Sequence, residues 1–206
     1  MAETLTTELE AVNSMLEAIM EAPVNSIATD SLPAEVQTAV NTLRSVSRQV
    51  QKEGYCFNTD EDFELSRDIN GYVYLPANTL SVDLTAENGQ IDVVQRGLRL
   101  YDRKNHTYVF TMNPRVTLIQ FLSWDELPEQ ARNYIKVRAA RTFQDKVLQS
   151  DSTHAYTEQD EMRAKAEMEA DDSRNSDYTI FDNYHSARTA GLTTRRPQQQ
   201  RPSSTN

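Results

Sequence analysis

Apolar positions recur at spacings of three and four through Leu5, Leu9, Val12, Leu16 and Ile19, with Glu8, Glu10 and Glu17 off that stripe. This is the period of an amphipathic helix, and it predicts one over about 5–20, closed by Pro23. A second stripe, Val36, Val40, Leu43, Val46 and Val50, predicts a helix over about 33–53. Pro33 fits its first turn, where a missing N–H costs nothing, and Gly54 fits the left-handed position just past its end. Core packing accounts for most of both stripes.

From Tyr55 to Leu122 the period becomes two. Phe63 and Leu65 alternate with acids. Val73–Leu75, Leu80–Leu84, Ile91–Val94, Leu98–Tyr101, Tyr108–Phe110 and Val116–Leu122 read as strands. Asn70-Gly71 and Asn88-Gly89 between them predict type I′ hairpin turns, in which both central residues take positive φ, and Gly97 marks a further turn. Helical spacing returns after Trp124. Ser123-Trp124-Asp125-Glu126 fits a capping box with Pro128 in the first turn of a helix over about 125–149. Ala131, Tyr134, Ile135, Ala139, Phe143 and Val147 form its apolar face. A fourth helix, about 157–171, has only Met162, Ala164, Ala166 and Met168 as apolar material. Two readings of it stand: a charged helix packed on a neighbour through small residues, or a frayed surface helix. From Ser173 onward polar residues dominate.

Strands bracketed by helices indicate an α+β fold. The N- and C-terminal helices are expected to form one bundle, with the strand block 55–122 inserted as an antiparallel arm. The 206 residues suit one domain, residues 1–184, with a flexible arm at 185–206.

Charge refines this division. The net charge is −10, yet residues 185–206 hold Arg188, Arg195, Arg196 and Arg201 and no acid. Removing those four charges leaves −14 on residues 1–184. An acidic body repels phosphate, which argues against sequence-specific DNA binding through it. No Lys or Arg precedes Arg44 and no apolar run exceeds four residues, so neither a secretory leader nor a membrane span is expected.

Little in the chain resembles catalytic machinery. His106, His154 and His185 stand far apart, without the i, i+3 or i+4 spacing of a metal pair, and no metal site or cofactor is expected. Cys56 lies in Tyr55-Cys56-Phe57 without a local base and reads as a buried structural thiol. Ser66–Gly71 imitates a calcium loop but lacks its first acid and its closing glutamate, where Ala77 stands. Asp60-Glu61-Asp62 and Asp171-Asp172 read as solvated loops or helix ends, and nothing marks out one raised-pKa acid and one nucleophile.

Taken in order, several short stretches resemble the tail tubular protein A family of short-tailed phages. They are Ala11–Leu16, Glu21–Val24, Arg48–Gln51, Gly54–Asn58, Tyr101–Arg103, Asp125–Glu129, Arg141–Gln144, Tyr178–Asp182 and Ala190–Arg195. The resemblance covers about residues 8–195, and Arg196–Asn206 extends beyond it. It implies a virion tail protein, made in the host cytoplasm, that forms a twelve-fold ring as the head-to-tail adaptor. Its implied partners are the portal protein, the nozzle protein (tail tubular protein B) and further copies of itself, with room for a tail fibre. DNA would pass through the lumen without sequence-specific binding. Gly191, Leu192, Thr193, Thr194 and Arg195, at the family's end, and the adjoining Arg196 become the expected portal-docking segment that the resemblance implies, with the arginines pairing acids. The alternatives are a virion-associated polysaccharide or peptidoglycan hydrolase, which needs a defined carboxylate pair, and a small acidic regulator of a host protein.

Overall fold

The computed structural model describes residues 5–28, 31–85, 91–148 and 156–176. Two helices, α1 (Glu8–Glu17) and α2 (Ala34–Gln51), precede the strands β1 (Thr59–Glu64), β2 (Thr79–Leu84), β3 (Val93–Arg96), β4 (Arg99–Asp102) and β5 (Arg115–Gln120). Two more, α3 (Glu129–Leu148) and α4 (Glu158–Asn175), follow. The fold is α+β, with antiparallel strands set between the N- and C-terminal helices as the sequence predicts.

The bundle is built around α3, which packs against α1, α2 and α4. Every member of the α2 stripe from Val36 to Val50 is buried, together with Val12 and Leu16 of α1 and Tyr134, Ile135 and Phe143 of α3. Helix α1 is shorter than its pattern. The Thr7 hydroxyl accepts the Glu10 N–H at 3.1 Å and the Glu10 carboxylate accepts the Thr7 N–H at 2.8 Å. This capping box starts the helix at Glu8 and leaves Leu5 exposed. At the other end Met20 turns left-handed (φ 63°), and the Glu21 N–H returns to the Leu16 carbonyl, so the helix stops well before Pro23.

The Ser123 capping box forms, but on a single 3-10 turn, Trp124–Glu126; α3 begins only at Glu129, past Pro128. Val147, expected on the apolar face of α3, is exposed. Helix α4 is packed within its own chain rather than frayed. Ala164 and Met168 are buried in the bundle core, and the helix packs on α3, leaving Met162 outside.

The strands form a second core. β5 lies between β1 and β2, and β3 pairs β4. Leu65, Val73, Leu75, Leu100, Phe110, Val116 and Leu118 close it. Val73–Leu75 and Tyr108–Phe110 are held by isolated bridges rather than as strands. Asn70-Gly71 does not form a type I′ turn, because only Gly71 has positive φ (83°). The Asp68 carboxylate accepts the N–H groups of Asn70 and Tyr72, which moves the turn back to Asp68–Gly71. A Cβ on Gly71 would lie 2.8 Å from Val109 and 3.1 Å from the Phe110 carbonyl, so the position demands glycine sterically as well. Arg96 pairs Arg99 across the two-residue loop Gly97-Leu98, with positive φ at Gly97 alone, the type II′ arrangement. Gly54 is left-handed past α2, as expected. Asn88-Gly89 lies outside the described residues.

Candidate functional site

The expected docking residues Gly191–Arg196 lie outside the described residues, as do His154 and His185. His106 is exposed in the loop after β4 with φ 54°. Cys56 is exposed rather than buried, because it follows the α2 cap at the mouth of a cleft facing the end of α4. Its N–H donates to Asp172 Oδ1 at 2.8 Å and its thiol to the Asp172 carbonyl at 3.7 Å. Desolvation, then the Asp172 hydrogen bond and the charges of Asp172 and Asp171, push the thiol up to about 11, so it stays protonated at neutral pH.

Asp60–Asp62 is not a loop; it belongs to the exposed edge strand β1. Among the described residues, the carboxylates whose pKa moves, Glu10, Asp102, Glu126 and Asp160, all move down. That is the wrong direction for a general acid. Three of them close capping boxes. Desolvation alone would raise Asp102, but the Asn105 side chain and the N–H groups of Asn105 and Lys104 donate to it and prevail.

Three of the stretches that carry the family resemblance, Arg48–Gln51, Gly54–Asn58 and Arg141–Gln144, each end on a buried amide that joins two parts of the fold. Gln51 is fully buried and pairs the connector before α3 as a strand would. Its Oε1 accepts the Leu122 N–H at 2.7 Å, and its Nε2 donates to the Leu122 carbonyl and to Ser47 Oγ, both at 3.1 Å. Asn58 accepts the Tyr55 N–H and donates to the carbonyls of Gln51 and Gln120. These two amides weld the helical bundle to the β5 end of the sheet. Gln144, also fully buried, repeats the device just before α4: it exchanges two 3.3 Å bonds with the Tyr156 backbone. Arg132 is buried on the carbonyls of Thr6, Asp125 and Leu127. Sequence reasoning missed all four. The available signal was a polar residue falling in or beside an apolar stripe.

Two surfaces stand apart by charge. The β3–β4 hairpin and the loop after it expose Arg96, Arg99, Arg103 and Lys104. The Arg96 guanidinium lies 3.6 Å over the Tyr101 ring and that of Arg99 4.9 Å over Tyr108, and the two rings meet edge to face at 4.8 Å. Arg103 pairs Asp92 at 2.7 Å. Against this, β1 exposes Asp60, Glu61, Asp62 and Glu64 along the free edge of its sheet, with Arg115 pairing Asp62 and Glu64.

Buried polar joints fix the shape of the molecule, and its charged surfaces turn outward. Comparison with known proteins gives the class: the family model for the tail tubular protein matches residues 9–178, and the chain belongs to that family. It is a structural protein of the phage tail. Among its relatives, tail tubular protein A of Klebsiella phage KP34 is 26% identical over 172 residues, covering 84% of this chain and 90% of the relative.

Proposed function

We propose that this protein is the ring-forming adaptor between the portal and the tubular nozzle, and that its ring forms part of the channel used in genome retention and ejection. One observation supports this above the others. The family match runs from α1 through the strand block and past α4, so the complete two-core architecture carries the likeness rather than a single motif. The acidic balance of residues 1–184 suits a lumen through which DNA slides without sticking. A ring requires heterologous contacts, one patch meeting a different patch on the next subunit. Self-association into twelve copies, binding to portal and to nozzle, and the absence of enzymatic activity are parts of this reading.

The basic arm 185–206 is proposed to dock on the portal through Gly191–Arg196, with Leu192 as an apolar anchor and Arg195 and Arg196 pairing acids of the partner. Deletion of residues 186–206 is expected to abolish binding to empty portal, and deletion of 197–206 to leave it intact, in a sedimentation assay without DNA. Unchanged portal binding by the longer deletion removes the arm from the docking role. Normal portal binding with impaired genome retention assigns the arginines to DNA phosphates instead.

A further inference from the structure

The two charged surfaces sit on one module but away from each other. β3 packs beside β2, while β1 occupies the opposite edge of the β1-β5-β2 sheet. From this juxtaposition we infer that the β3–β4 hairpin of one copy docks on the β1 edge of the next, as the repeating contact of the ring. This inference rests on the ring proposed above and names its contact surface.

Like patches exclude the competing arrangement. A two-fold contact centred on one patch would set hairpin against hairpin or β1 against β1 and bring like charges together, and a reciprocal two-fold would need both patches in one interface, which their places at opposite sides of the sheet oppose. An edge strand carrying four acids is a barrier to pairing with its own copy, and the bulge between Asp60 and Phe63, where Asp62 takes φ 54°, strengthens that barrier. The same acids attract a basic partner. On β1, Asp60 accepts from Gln120, while Glu61 has no ion-pair partner among the described residues. The cleft beside Glu61, about 520 Å³, is also lined by Asp172, which adds to the negative field there.

The hairpin is built to meet such a field. Stacking on Tyr101 and Tyr108 holds the guanidiniums of Arg96 and Arg99 in place while their N–H edges stay open. Less side-chain freedom is then lost on pairing with carboxylates. Leu98 at the hairpin tip is half-exposed and Phe63 on β1 is 40% exposed, so each surface also carries apolar area to bury.

Sedimentation velocity of the full chain, over a concentration series at low and high salt, tests the contact. The wild-type chain is expected to associate with rising concentration at low salt and to lose that association at high salt. The Arg96→Ala/Arg99→Ala variant and the Asp60→Asn/Glu61→Lys variant should each associate at least about tenfold more weakly. Mixed together, they should form a pair that grows no further, since one intact hairpin meets one intact edge. That rescue shows both variants to be folded. A wild-type chain that stays monomeric throughout, a variant that associates normally, or a mixture without rescue overturns the assignment. A duplex oligonucleotide that loses binding to the arginine variant while self-association persists overturns it in favour of DNA. Loss of portal binding with this association intact would sink the adaptor reading and leave the contact standing.

Discussion

Gln51 shows how much one buried amide holds. It satisfies both backbone groups of Leu122 at the junction of bundle and sheet. Gln51→Ala leaves those groups unpaired beside a cavity, and a loss of about 2–4 kcal/mol in urea unfolding is expected. A loss below about 0.5 kcal/mol would mean that water replaces the amide. Asp102 makes a second residue-scale case. Its folded pKa is depressed, so its contribution is complete above the ordinary carboxylate pKa and disappears as pH falls through the depressed value. Asp102→Asn is expected to cost about 1–2 kcal/mol at pH 7 and to differ progressively less from wild type below about pH 4, as urea midpoints across pH would show. A deficit that persists undiminished at pH 2 would mean that the loop 103–106 depends on packing rather than on the carboxylate.

At the scale of elements, α4 carries the clearest lesson. Its apolar content suits two opposite readings, and the structure selects the packed one because Ala164 and Met168 fall one turn apart against α3. Charged pairs complete the seam: Arg141 and Arg138 both reach Glu161. Met168→Ala should therefore cost about 2–4 kcal/mol, and Met162→Ala, on the exposed side, less than about 0.5 kcal/mol, by thermal or urea denaturation. Equal costs would contradict the assigned face. The α2 stripe, the left-handed Gly54 and the α+β order were legible because periodicity reports burial directly. The start of α1, the shift of α3 to Glu129 and the turn at Asp68 were not, because side-chain capping sets them against the apolar pattern. The surroundings of Cys56 were hidden too, because the residue that binds it, Asp172, lies more than a hundred residues away in the chain. The basic hairpin escaped notice because Asp92 and Asp102 dilute it in the linear charge count, although Asp92 is bound to Arg103 and Asp102 is buried.

For the molecule as a whole, the bundle and the sheet are two cores joined by paired amides, and the charge differs from one surface to the next. A strongly acidic body resists self-assembly in dilute solution, while a weak head-to-tail contact between unlike patches allows it once subunits are held side by side. The protein alone is therefore expected to be monomeric when dilute, to form small open oligomers as its concentration rises at low salt, and to close into a ring on its partner. The measurement that tests this most directly is native mass spectrometry of the full chain, alone and titrated onto purified portal. The prediction is small species alone and, with portal, cooperative filling to one complete ring at a fixed copy number. No association with portal at any salt concentration would contradict the adaptor function, and a closed ring formed by the protein alone at low salt would contradict the requirement for a template.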